Sequence, residues 1–203
     1  MRKIKTLVYL VISSLMIVSF LSACGTKDTA SNSDIKEGGP AYLVKTYGTM
    51  AELAKDAKEI VEIEVNSQET ITYSDIPFTI STVSVLKSFK GDHKKGDTIR
   101  IIETGGEFTP LDKQGNPLPK ATMKFAGIPV LEPKEHDVIF LNAFKGPQIS
   151  GEAYVPLGVY QGRFKVDASG DMVQQAPDKE KVKDIPKTKV DKFSDVLNNL
   201  PKQ

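Results

Sequence analysis

The 203-residue chain has no tryptophan, one cysteine and two histidines. One cysteine cannot form a disulfide within the chain, so the folded part must stand on its apolar core. His93 and His136 lie among lysines, acids and turn residues, with no second histidine or cysteine at ligand spacing. They read as exposed loop residues, and no metal and no cofactor is expected. An excess of either charge is also missing, with 27 basic residues against 26 acidic ones. That balance gives no electrostatic case for nucleic acid or for a basic patch on anionic lipid. Catalytic signatures are equally scarce. There is no Gly-x-Ser-x-Gly elbow, no calcium-loop spacing of aspartates, and no Gly-Lys-Ser/Thr after Gly105-Gly106.

What is present begins at the amino terminus. Arg2, Lys3 and Lys5 precede an apolar run from Leu7 to Leu21, interrupted only by Ser13, Ser14 and Ser19. At about 15 residues the run is short of the roughly 20 needed to cross a bilayer, so it reads as a secretory leader. It closes on Leu21-Ser22-Ala23-Cys24, which resembles the lipobox of bacterial lipoproteins. The resemblance implies cleavage before Cys24 and a diacylglyceryl group on its thiol, with palmitate-type acyl chains holding the protein to the membrane. Two acyl chains suffice for a stable anchor, whereas one holds marginally. The leader carries three basic residues and no acid, so the mature chain has 24 bases against 26 acids, a formal net charge of −2.

Four segments follow: residues 1–23 as signal peptide, 24–40 as lipidated cysteine and flexible tether, 41–175 as a β-barrel domain, and 176–203 as a charged tail. The tether is Gly/Ser-rich and would reach roughly 20 Å as a random coil. Thr49-Met50-Ala51-Glu52 spells a capping box, which predicts a short helix to near Lys58. Val61, Ile63 and Val65 then alternate with Glu62 and Glu64, the period of a half-buried strand. Further strands are expected at Phe78–Phe89 after a turn or bulge at Ser74–Pro77, and at Thr98–Glu103, Val138–Phe144, Tyr154–Tyr160 and Arg163–Asp167. Residues 104–134 are rich in glycine and proline and read as irregular, with a hairpin tip at Asp112–Asn116. Phe193, Val196, Leu197 and Leu200 predict a terminal amphipathic helix packed on the domain. The fold class is therefore mainly β: a small antiparallel OB-like barrel or sandwich with a short helix near each end.

The stretches AELAKDAKEIVEIEV (51–65), TISTVSVLKSFKG (79–91), GDTIRIIETGG (96–106) and VIFL (138–141) resemble a group of uncharacterised Gram-positive lipoproteins and secreted proteins. Their order is similar to the OB-like barrel of netrin-like and metalloprotease-inhibitor domains, over roughly residues 45–170. This chain lacks the cysteines of those domains, and Cys24 is expected to be acylated, so no inhibitory residue is carried over.

The remaining candidates lie on the 104–134 excursion and its start: Glu103, Gly105, Gly106, Glu107, Phe108, Met123 and Phe125, with Ile128 beside them. Gly105-Gly106 suits a tight exit from the barrel. The aromatic and apolar members suit either a contact patch or a cap on the core. These observations predict a non-catalytic binding module, lipid-anchored on the extracytoplasmic face of a cell membrane. The organism would be Gram-positive, and the partner an envelope protein or a small ligand. A ligand-binding lipoprotein for peptide, glycan or lipid is the alternative. A cell-wall enzyme would need converging acids, with Glu103 and Glu107 first in line.

Overall fold

The computed structural model describes residues 34–37, 45–146, 149–183 and 185–201. The stretch read as a leader and Cys24 lie outside the described residues, and no described helix is long and apolar enough to cross a membrane. The fold is mainly β, a closed five-strand barrel with two short helices. Its strands run β2 (Glu59–Tyr73), β3 (Ile76–Lys90), β4 (Thr98–Thr104), β8 (Tyr154–Pro156) and β7 (His136–Ala143), with β7 returning to β2.

Three register shifts in β2, the last between Val65 and Ser67, bend the strand as barrel closure requires. On its inner face β2 places Val61, Ile63 and Val65 against Val83, Ile101 and Ile139. Ile60 faces outward and joins Val138 and Phe140 in a second apolar layer. That layer is covered by α1 (Met50–Asp56), by the hairpin of β9 (Arg163–Val166) and β10 (Met172–Gln174), and by α2 (Phe193–Asn198). The capping box at Thr49 is fully formed: Glu52 N–H donates to Thr49 Oγ1, and Thr49 N–H donates back to Glu52 Oε2. Phe193 of α2 is wholly buried, edge-on to both Phe89 and Phe140.

Past Val65, β2 is mostly exposed and continues with β3 as a long hairpin that turns at Ser74 and Asp75, both at positive φ. The excursion between β4 and β7 is more ordered than its composition suggests. β5 (Gly106–Phe108) pairs antiparallel with β6 (Ala121–Lys124), and the hairpin tip forms where Leu111 bridges Pro117. Within the stretch read as tether, Asp34–Glu37 forms β1, parallel to β6. The strand expected at Tyr154–Tyr160 ends at Pro156 instead. Gly158 then takes a left-handed conformation, and residues from Leu157 form a tight turn closed by the Gly162 N–H donating to the Leu157 carbonyl at 2.8 Å.

Candidate functional site

Two neighbouring features form the candidate site, a buried charge cluster and a groove, and Glu103 belongs to both. Asp137 shares the inward parity of Ile139 and Leu141 on β7, so it points where apolar side chains would be expected. Arg163 sits opposite Ile139 on β9 and reaches the same region. Its Nη1 donates to Glu103 Oε1 at 2.9 Å and to the Pro129 carbonyl at 2.7 Å. Its Nη2 lies 4.0 Å from Glu135, and its Nε 3.8 Å from Asp137. Lys165, half exposed at the rim, adds a second cation 3.0 Å from Glu135.

The cluster sets three carboxylates against two cations. Glu103 Oε2 accepts the Leu131 N–H, and Glu135 accepts the Glu132 N–H. Both Asp137 oxygens and Arg163 Nε have no hydrogen-bond partner among the described residues. Burial pushes the Asp137 carboxyl up to about 7; Arg163 pulls it down, while Glu135 and Glu103 push it further up. Burial also raises Glu103, opposed by Arg163 and the Leu131 N–H. A neutral Asp137 balances the cluster's formal charge. Chemically, the cluster ties β4, β7 and β9 to the segment carrying Pro129 and Leu131. Among the described residues no group of histidine, cysteine, aspartate and glutamate side chains is arranged to hold a metal ion.

The groove has a volume of about 430 Å³, within the range of ligand sites. Ile102, Val155 and Leu157 give it an apolar lining, with Asn142 and Lys45 as polar members. It lies outside the barrel, because Ile102 and Val155 have the opposite parity to the interior residues Ile101 and Tyr154. Val159 projects at its edge, 37% exposed and at a φ of +62°. A β-branched residue in that region is a strained outlier. The surrounding turn holds it there. Gln161, buried beneath, accepts the Tyr47 N–H at 2.9 Å and donates to the Tyr47 and Glu180 carbonyls.

The structure divides the residues singled out from the sequence. Glu103 and Phe125 line one small recess with Arg163 and Val159. Gly105 and Gly106 form the kink between β4 and β5, both at positive φ. A side chain at Gly106 would run into Thr79, and one at Gly105 into the Met123 carbonyl. Gly106 pairs with Met123 in the β5–β6 ladder. Glu107 is turned away from Glu103, exposed and paired with Lys120 at 3.0 Å. Phe108 lies beside it, in a separate recess with Thr70 and Thr72.

Sequence reasoning missed Asp137, Arg163, Glu135 and Gln161. Parity carried a signal for one of them: Asp137 is a charged residue on the face of β7 that carries Ile139 and Leu141, whereas Arg163 alternates with Phe164 as Lys165 does and carries no such signal. The histidines also differ from the expectation of exposed loop residues: both are half-buried, and His136 opens β7. His93 bonds Tyr154 Oη at 2.7 Å, and that hydroxyl donates to Glu152 at 2.6 Å. His136 meets Glu62 at 2.7 Å. Compared with family models, with curated protein sequences and with solved structures, the chain matches none of them.

Proposed function

We propose that this chain is a lipid-anchored binding module on the outer face of a bacterial cell membrane, whose ligand site is the groove beside β4 and β8. The groove carries the reading: a preformed apolar concavity with a strained, exposed Val159 at its edge. The leader and the Leu-Ser-Ala-Cys motif supply the location. The barrel interior is filled by aliphatic side chains and Tyr154, so binding at the surface groove suits this fold better than enclosure of a ligand within the barrel. An enzymatic role has less support. Glu103 is neutralised by Arg163, and Glu107 lies on another face with Lys120, so the two acids do not converge.

The test is in-cell crosslinking from Lys45 and Asn142, with acyl labelling of Cys24 and Cys24→Ala as the release control. One dominant envelope partner, captured through these positions by the labelled protein, is the expected result. Diffuse neighbours only, or a Cys24 without acyl label, would overturn it.

A further inference from the structure

We propose that the edge of β2 past Val65 pairs with the same edge of a second copy of this chain, joining the two sheets antiparallel about a two-fold axis. The proposal goes beyond the groove and does not rest on it.

The edge follows from the register. β2 lies between β7 and β3 as far as Glu64, which stands opposite His136 on one side and Ser84 on the other. The Val65 N–H then donates to the Glu135 carbonyl, and the Lys134 N–H to the Val65 carbonyl, which ends the β7 side. Among the described residues, the run from Ser67 to Tyr73 pairs with β3 alone. Which of its groups point outward is set by β3. The Pro77 carbonyl accepts from Gly105, beyond β4, so Pro77 turns its backbone away from β2, and alternation turns Thr79 and Ser81 the same way. Their partners on β2 are Thr72, Thr70 and Gln68. These three therefore present their N–H and carbonyl groups on the side away from β3. Ser67, Glu69, Thr70, Thr72 and Tyr73 are all exposed.

Monomeric proteins blunt such an edge with lysine, proline or a bulge within the free run. Residues 67–73, SQETITY, contain no lysine, arginine, proline or glycine, and Glu69 is their one charge. The bulge in β2 lies before this run, between Val65 and Ser67. By contrast, the outer side of β10 is engaged where the Met172 N–H donates to the Thr188 carbonyl, and β1 is four residues long.

The occupant is argued from complementarity of the edge with itself. With Thr70 opposite the second copy's Thr70, Gln68 meets Thr72 and the outward groups exchange about six hydrogen bonds. Glu69 then falls opposite Ile71, and threonine meets threonine in a cross-strand pair that sheets favour. Centring the axis on Glu69 instead would set like charges face to face. A two-fold pairing uses each edge once, so it stops at the dimer. The contact is about 24 Å long at strand spacing, which makes a small interface. The lipid anchor proposed above would hold both copies on one membrane and raise their effective concentration.

The experiment uses the full chain in detergent, followed by sedimentation velocity and by amide hydrogen exchange read by NMR. Over about a hundredfold rise in protein concentration, a monomer–dimer equilibrium is expected. Exchange at Gln68, Thr70 and Thr72 should slow about tenfold or more in the dimer. Thr70→Pro removes one outward N–H and spares the β3 ladder. It is expected to weaken dimerisation about tenfold or more while the chain stays folded. Thr70→Lys sets two cations opposite each other across the axis and should do the same with the backbone intact. A chain that stays monomeric at millimolar concentration would overturn the proposal. So would a dimer whose three amides exchange as fast as in the monomer, a dimer that Thr70→Lys leaves intact, or growth beyond the dimer. A monomer whose three amides are protected only by added acetyl-Thr-Ile-Thr-Ile-Thr-amide would assign the edge to a foreign strand instead. Lys45 and Asn142 do not lie on this edge, so failure of their crosslinks would remove the groove reading and leave the dimer standing.

Discussion

The barrel has two kinds of seam. Between β2 and β3 the ladder runs from Ile60 opposite Lys90 to Tyr73 opposite Ile76, past three bulges and a left-handed turn. Between β4 and β8 it consists of Ile101 opposite Tyr154. Hydrophobicity does not separate them, since both line the same packed interior. The difference lies in the backbone. The first seam is a hairpin in sequence, its strands joined by the turn at Ser74 and Asp75. The second joins distant strands in parallel and reaches a proline after one position. The second seam therefore has the shorter ladder although β8 lies alongside β4, and the groove lies on the outward face of these strands.

β7 makes the same contrast within one strand. Its first half pairs β9 along Asp137–Ile139 and is sealed by Arg163; its second half pairs β8 along Leu141–Ala143 and borders the groove. Breaking the sealed half should have the largest effect. Arg163→Met strands Glu103, Glu135 and Asp137 without their buried cation, and a loss of about 3–5 kcal/mol is expected in urea denaturation. A loss below about 1 kcal/mol would mean that the three acids take up protons at little cost.

Titration sharpens the contrast next. The folded-state pKa of Asp137 is raised from 3.8 to about 7. The folded chain therefore binds this proton more tightly than the unfolded chain, and the stability it contributes is present at low pH. That contribution is lost as pH rises from about 4 to about 7, and the raised Glu103 acts in the same direction. Asp137→Asn removes the titrating group. Its stability should fall less than that of the native chain between about pH 5 and about pH 8. Parallel pH profiles for the two proteins would refute the assignment to Asp137.

Smaller effects are expected at the half that borders the groove. Val159→Gly relieves the left-handed strain and should raise stability by about 1 kcal/mol; a lower melting temperature would show that the isopropyl group packs more than its exposure suggests. Pro156→Ala should change stability by less than about 1 kcal/mol, because one new ladder bond is set against a more flexible unfolded chain. Its clearer readout is slow exchange of the new amide at 156, and fast exchange there would mean that the seam does not close.

Local order was legible where it depends on neighbours in sequence. The capping box at Thr49, the alternation of Val61, Ile63 and Val65, the turn before Phe78 and the amphipathic spacing of Phe193, Val196 and Leu197 all reappear as elements. The strand expected from Tyr154 stops early because Pro156 and the left-handed Gly158 end it within an apolar run. The short strands β5 and β6 were hidden because each depends on a partner outside its own segment, and propensity is weak over three or four residues. The candidate site was the least legible part. Glu103 was singled out, but for its nearness to Glu107, which the fold turns away.

The sequence by itself determined the period of each main element and, through its single cysteine, the absence of a disulfide within the chain. Those follow from residue type and spacing along a few turns or strand repeats. Only the tertiary structure decided that Glu103, Glu135, Asp137, Arg163 and Lys165 share one cluster, and that β4 and β8 lie side by side to close the barrel. The physical reason is that both depend on contacts between residues far apart in the chain. Charge pairing and ladder register are set by which strands the closed barrel brings side by side, and no local pattern records that choice.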